Sequence, residues 1–394
     1  MNVESEPPGV VVLYNASEQL IKGEPRDMLA EQGVIACAHA VAEALGMAGH
    51  RVALVPIRSD AELALAPYPP TDWVVFNLGE GLDGRLFEEA RIAWALEAMG
   101  YSFTGSGGDA LARSTHKGRA KALLAEAGVP TPPWQIFYDP TDVTESNVAM
   151  LPFPLIVKPV AEDASLGIGP EAIVHTPADL RARVAYVTER YRQAALAEQF
   201  IAGREFNAAL WGNPPEVLPL AEIDFSALAD PLQCIVSFAA KWEEDSFDYK
   251  HTPVVCPASV TPALRDRIMA TARRAWRAIG CRGYGRVDMR VAADGTPYVM
   301  EVNCNPDISP DAGFFRAAQA AGHDYVGMAT HILKLALRQC NAYDYGSEQA
   351  RRLTDYPAYG RRRRFQSWRS GLRPGVVGRL PATGRSQWLR FSSL

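Results

Sequence analysis

Arg286, Asp288, Glu301 and Asn303 fall within one stretch, GRVDMRVAADGTPYVMEVN, residues 285–303. Val287, Met289 and Val291 alternate with Arg286, Asp288 and Arg290, the period of a half-buried strand. Tyr298, Met300 and Val302 alternate with Val299, Glu301 and Asn303, and Asp294-Gly295 between the two runs is a strong hairpin signal. With Val291 opposite Thr296, Arg286 faces Glu301 and Asp288 lies diagonal to it. The other face is then apolar. Carboxylates this close repel each other, and one protonates unless a cation intervenes. Arg286 supplies part of that charge. A hard divalent cation would supply the rest, because oxygen ligands of this kind suit magnesium held jointly with substrate phosphates. The competing reading is a hairpin with a salt bridge on a solvated face.

Lys158-Pro159 ends the apolar run FPLIV, and the small-residue segment 160–169, VAEDASLGIG, follows. A lysine at a strand end before such a loop can hold phosphate by charge and by backbone N–H groups. A plain surface loop is the alternative. Glu198 lies in the strand-like AALAEQFI and Glu205 just beyond it. Strand backbone can read a purine edge and a carboxylate can accept from ribose hydroxyls, although both acids also suit an ordinary surface. Lys117 sits in a helical stretch, 114–126, and Lys241 in the strand-like SFAAKW, 237–242. Gly105 to Ala110 loosely matches a dinucleotide fingerprint, but a tight turn opening a helix is the simpler reading.

The elements that would carry these residues alternate. Residues 9–14 read as a buried strand, 34–49 as a helix, 50–56 and 72–77 as strands, 86–99 as a helix and 101–104 as a strand. This is doubly wound α/β logic, with ligands expected at the carboxyl ends of the strands. Glycine and prolines at 128–133 mark a boundary, residues 245–252 read as a polar loop, and helices are expected at 262–279 and 324–341.

The 394 residues suffice for two or three domains, and 48% apolar with 22% charged residues is a globular composition. Residues 351–394 hold eleven Arg, no Lys and one acid, Asp355, so the rest is more acidic than the total charge of −5 suggests. Arg with interleaved aromatics there reads as a solvated, disordered tail rather than a nucleic-acid surface. Cys37, Cys234, Cys256, Cys281, Cys304 and Cys340 form no CxxC pair, which suggests reduced thiols in a cytoplasmic protein. No export signal and no apolar run of membrane-spanning length is expected.

The order Lys117, Lys158-Pro159, the Ser165/Gly167 loop, Glu198…Glu205, Lys241, Arg286-Val287-Asp288 and Glu301-Val302-Asn303 resembles the ATP-grasp superfamily, most closely the D-alanine–D-alanine ligases. Supporting stretches are YSFTGS at 101–106, GCRGYGRVD at 280–288 and NCNP at 303–306. The resemblance implies an N-terminal α/β domain, 1–110, then a two-subdomain α+β ATP-grasp fold, 111–205 and 206–342, with the tail 343–394 outside it. Its cofactors would be ATP and Mg2+ (or Mn2+), its partners a small-molecule carboxylate and an amine, with no membrane and a possible homodimer. Lys117 and Lys158 would hold phosphates under the loop around Ser165. Glu198, with the backbones of Gln199 and Ile201, would read adenine, and Glu205 the ribose. Lys241 would meet the γ-phosphate. Asp288, Glu301 and Asn303 would bind the metal, and Arg286 would neutralise the tetrahedral oxyanion.

The sequence departs from the family where substrates sit. The loop has Glu162-Asp163-Ala164-Ser165 for Glu-Gly-Ser-Ser, Trp242 stands for a Tyr, Asp307 for a Gly, and Ala312-Gly313 for a Ser-Leu pair. Asp27 or Glu24 is the candidate acid for the first substrate's ammonium, and Asp307 or Asp311 would repel a carboxylate. The expected function is amide-bond formation through an acyl phosphate on substrates other than two D-alanines. The alternatives are a D-alanine–D-alanine ligase proper and a non-catalytic ATP-binding protein.

Overall fold

A run of six apolar-type residues, GVVVLY, can be satisfied only if both faces are covered, and both are. In the computed structural model, which describes residues 7–16, 22–58, 60–81 and 86–343, β1 (Gly9–Asn15) is buried along its whole length. It is the middle strand of a parallel sheet, between β2 (Val52–Ile57) and β3 (Trp73–Leu78). Val10, Val12 and Tyr14 pack with Val34, Ala38, Val41 and Leu45 of α1 (Met28–Met47). Val11 and Leu13 point the other way, toward α2 (Ala61–Leu65) and α3 (Glu88–Ala98). Strand period thus places helices on both faces. Residues 101–104 pair with this sheet through a bridge from Phe103 to Val75, and the Thr104 hydroxyl accepts the Asn77 N–H at 2.9 Å, short of the strand expected there. The helices α4 (Gly108–Thr115) and α5 (Lys117–Glu126) follow. Among the described residues one helix, Pro25–Met47 with mean hydropathy 1.2, is long and apolar enough to cross a membrane, where none was expected. Here one of its faces lies in the core against the sheet.

A second sheet is antiparallel, in the order β4-β7-β5-β6, from β4 (Trp134–Phe137), β5 (Leu155–Pro159), β6 (Ile173–Val174) and β7 (Ala195–Gln199). The short α6 (Glu145–Val148) and the longer α7 (Pro177–Arg190) accompany it. Phe137, Leu155 and Val157 of the sheet pack on Leu180, Val184 and Val187 of α7.

The third sheet runs β11-β10-β8-β12-β13, with β9 beside β8. Its strands are β8 (Arg204–Trp211), β9 (Glu216–Val217), β10 (Ala221–Ile223), β11 (Val254–Val255), β12 (Tyr284–Val291) and β13 (Pro297–Asn303). Helices α8 (Phe238–Trp242), α9 (Phe247–His251), α10 (Pro262–Ile279), α11 (Gly313–Ala320) and α12 (Tyr325–Tyr343) complete it. Three expectations fail here. SFAAKW is α8 rather than a strand, because the Ser237 hydroxyl caps a helical turn by accepting the Ala240 N–H at 3.0 Å. The 245–252 segment contains α9, capped in the same way by Ser246. Glu205, expected just past a strand, instead lies within β8. The Arg-rich tail lies outside the described residues.

The expected hairpin forms, in another register. Val291 pairs with Pro297 and Met289 with Val299, but Asp288 pairs with Glu301 and Arg286 with Asn303. A bulge at Met300 shifts the count by one. The turn itself, one residue longer than expected, brings Pro297 and Val299 rather than Tyr298 to the core face and leaves Met300 half-buried, and the bulge then restores the expected parity at Val302. Together they set Asp288 directly opposite Glu301. Ile268, Ala272, Ala275 and Trp276 of α10 pack in the same core as Val287, Met289, Val299 and Val302. Val299→Ala should therefore cost about 2 kcal/mol, and Met300→Ala under about 1, in urea denaturation. The reverse ranking would restore the expected register.

Candidate active site

Asp288 is the most heavily bonded side chain on the polar face of the third sheet. Arg286, two residues earlier on the same strand face, donates Nε to Oδ1 at 2.7 Å and Nη2 to Oδ2 at 2.9 Å. Asn207 of β8 donates to Oδ1 at 2.7 Å and Asn303 of β13 to Oδ2 at 3.0 Å. Burial works against the Arg286 charge, but Asp288 more than offsets it and holds the guanidinium well above its ordinary value.

Glu301, across the hairpin, meets a different cation. Lys117 opens α5 and is 6% exposed; its Nζ lies 3.1 Å from Glu301 Oε1 and 3.1 Å from Asp163 Oδ1. It also donates to the Glu162 carbonyl. Burial would raise the Glu301 carboxyl, but Lys117 and Asp163 hold it well below the usual range. Asp163 shifts up, from lost solvent and from Glu301, against the pull of Lys117. Three carboxylates thus meet here over one ammonium and one guanidinium.

Lys158, at the end of β5, ion-pairs with Glu198 at 2.8 Å. Glu198 is fully buried in β7 and also pairs with Lys121, which is 1% exposed and reaches Thr131 Oγ1 at 2.9 Å. Burial raises the Glu198 carboxyl, yet Lys121 and Lys158 together hold it below its ordinary value. Its carboxylate is therefore committed to lysines. Gln199 N–H is given to the Pro133 carbonyl at 2.9 Å, and Ile201 is buried just past the strand. Glu205 lies 3.5 Å from Arg290, and burial raises its carboxyl despite that partner.

The loop 162–169 closes against α8. Ala164 and Ser165 adopt left-handed backbone (φ 56° and 60°), which costs about 1–3 kcal/mol at each non-glycine position. Trp242 Nε1 donates to the Ala164 carbonyl at 2.9 Å, Ser165 Oγ to the Val236 carbonyl at 2.9 Å, and Phe238 N–H to the Ile168 carbonyl at 2.8 Å. Trp242 also stacks closely on Gly33, where a Cβ would sit 3.2 Å from the ring. Trp242 is thus a tether between loop and α1. Lys241 Nζ lies 5.0 Å from the Trp242 ring centre.

The expected substrate acids are dispersed. Asp27 is 2% exposed and accepts from Glu24 N–H at 2.8 Å and Tyr191 OH at 3.3 Å, while Glu24 takes a two-pronged ion pair from Arg190. Asp307 Oδ1 accepts from Ser309 N at 2.9 Å and Ser309 Oγ at 2.6 Å. The Asp311 side chain is exposed.

With this arrangement described, likeness to known proteins decides the lineage. Residues 123–334, more than half of the chain, match the model of the D-ala D-ala ligase C-terminus. The chain belongs to the D-alanine–D-alanine ligase family. It is an ATP-grasp protein and an ADP-forming ligase. A D-alanine–D-alanine ligase of Desulforudis audaxviator is 34% identical over 65% of this chain and 79% of its own length. One from Moorella thermoacetica is 32% identical over 76% of this chain and 92% of its own. An uncharacterized protein, y4sG, of Sinorhizobium fredii is 35% identical over 69% and 77%. The crystal structure of a D-alanine–D-alanine ligase from Bacillus anthracis complexed with ATP superposes with a TM-score of 0.68 over 86% of this chain and all of that one, at 22% identity, and so supports the fold.

Sequence reasoning missed Lys121, Asn207 and Asp163 as members of this candidate site. Lys121 lies four residues after Lys117, on the same face of α5, which was the available signal. Glu198→Ala would leave Lys121 and Lys158 buried without their shared counter-charge, and should cost about 3–5 kcal/mol by urea denaturation. Asp27 makes a pH prediction. Burial raises its carboxyl in the fold, so its ionisation lowers stability as pH rises from the unfolded value near about 4 through the raised folded value. Asp27→Asn removes that penalty. Its Tm relative to wild type should climb between acid and neutral pH, and a constant difference would contradict the assignment.

Proposed function

We propose that this chain joins a carboxylate to an amine through an acyl phosphate, on substrates other than two D-alanines. The observation that carries this reading is the facing pair Asp288 and Glu301, the first paired with Arg286 and the second with Lys117, with Lys158 on the neighbouring sheet. Oxygen donors from Asp288, Glu301 and Asn303 fit a hard divalent cation, magnesium or manganese. When bound, such a cation would supply positive charge that offsets the charge of the ATP phosphates. Lys117 and Lys158 are the charges for the phosphates. Asp163 now holds Lys117, so nucleotide would take over that contact. The strand end at Glu198, Gln199 and Ile201 would receive adenine through backbone, because the Glu198 carboxylate is spoken for. Glu205 would meet the ribose, and Lys241, next to the loop tether Trp242, the γ-phosphate.

The donor carboxylate attacks the γ-phosphorus and ADP leaves, giving an acyl phosphate. The neutral amine then attacks the acyl carbon, phosphate leaves with the C–O electron pair, and the proton lost from nitrogen passes to that phosphate or to solvent. Arg286 neutralises the oxyanion between these events. The loop around Ser165 excludes the water that would hydrolyse the acyl phosphate.

Four positions support an altered acceptor pocket. Asp307 adds a negative charge, the Ser309 hydroxyl is already donated to Asp307, and Ala312 and Gly313 offer no side-chain donor. An acceptor carboxylate would be poorly held there, and a cationic amine well held. The competing reading, D-alanine–D-alanine ligation, is favoured by the names of the relatives.

Carboxylate and amine pairs should be screened with MgATP for phosphate release, with products identified by mass and hydroxylamine added to trap acyl phosphate as hydroxamate. Arg286→Met should lower kcat on the active pair by about 10²–10³-fold. Rapid D-alanyl-D-alanine formation would overturn the substrate part. ATP turnover without any hydroxamate or amide would overturn the reaction.

A further inference from the structure

Asp288 accepts four hydrogen bonds, two on each oxygen: Arg286 and Asn207 on Oδ1, Arg286 and Asn303 on Oδ2. An ionised carboxylate offers about four lone-pair sites, so every site is taken. To ligate a cation, Asp288 must release one donor. The four are not equivalent. Arg286 is bidentate and its release would strip the charge partner. Asn303 can rotate its amide and turn from donor into an oxygen ligand, in keeping with the role proposed for it. Asn207 is the donor on the opposite side. It lies on β8 directly across from Asp288 in the ladder, at 2.7 Å.

We infer that Asn207 is a positioning residue that holds Asp288 Oδ1 from the strand behind, so that Oδ2 is the oxygen presented to the metal. Asp288 sits on the middle of three strands and is gripped from both neighbours. The grip from β13 yields on metal binding and the grip from β8 stays. The inference rests on the metal role proposed above for Asp288. It adds a residue that touches neither metal nor nucleotide but sets the ligand's rotamer. Loss of an outer hydrogen bond to a metal ligand typically weakens affinity by about 10–100-fold.

The test uses full-length protein, Mn2+ and the β,γ-imido analogue of ATP, with free Mn2+ counted by electron paramagnetic resonance. Asn207→Ala removes the donor and the side chain; Asn207→Leu keeps the shape and removes only the donor. Both should bind Mn2+ at least about 10-fold more weakly than wild type, and should raise the half-saturating metal concentration for turnover more than they lower kcat at saturating metal. Thermal melts of each variant without metal separate this from misfolding, since a folded variant is required for the comparison. If both fold and bind Mn2+ as wild type does, or if only the Ala variant is weakened, the inference is overturned while the site reading survives. Wild-type protein that binds no Mn2+ would overturn the site reading, and this inference with it.

Discussion

Two carboxylates face each other across adjacent strands, at Asp288 and Glu301, and the surrounding structure answers that repulsion. Arg286 answers it along the strand and Lys117 from the start of a helix. The apolar reverse of the hairpin is pressed onto α10, which fixes the backbone so that the acids cannot drift apart. A site built on packed strands holds its charges in place before any ligand arrives, which is the condition for electrostatic catalysis.

The hairpin was legible because period-two alternation and Asp-Gly are strong local signals. The register was not, because Val299, Met300 and Val302 are all apolar and nothing in their types marks which one is extra. A turn one residue longer than expected and one bulged residue together moved Glu301 from Arg286 to Asp288. SFAAKW misled for another reason. A short apolar run fits either period, and the deciding mark was the capping serine at its start. Asn207 was hidden within EFNAALW, whose alternation of Phe206, Ala208 and Leu210 reads as a strand once the preceding glycine is taken as a turn rather than an end. Lys121 was missed because a second lysine on a helix reads as solvated, and only tertiary packing shows it buried against Glu198. Asp307 was assigned from its place in the family motif and Asp27 and Glu24 as the best N-terminal acids, and the structure gives the latter two partners in and just past α7.

The loop over the site illustrates local strain held by distant contacts. Left-handed backbone at Ala164 and Ser165 persists because Trp242, Ser165 and Phe238 fasten the loop to a neighbouring helix. Replacing Tyr by Trp there removes a hydroxyl but leaves an indole N–H with a carbonyl to meet.

The apolar cores are divided unevenly. Two clusters mix residues of the first and third sheets, Val11 with Val287 and Val12 with Tyr284. A third lies within residues 137–197, and the fourth joins Ile156 and Ile173 of the second sheet to Ile235, between β10 and α8. Much of what joins the middle sheet to its neighbours is charge: Lys22 with Glu162, Glu24 with Arg190, Lys117 with Asp163. Of these pairs Glu24–Arg190 is the most open to solvent, so dissolved salt would loosen it before the shielded Lys22 and Lys117 contacts.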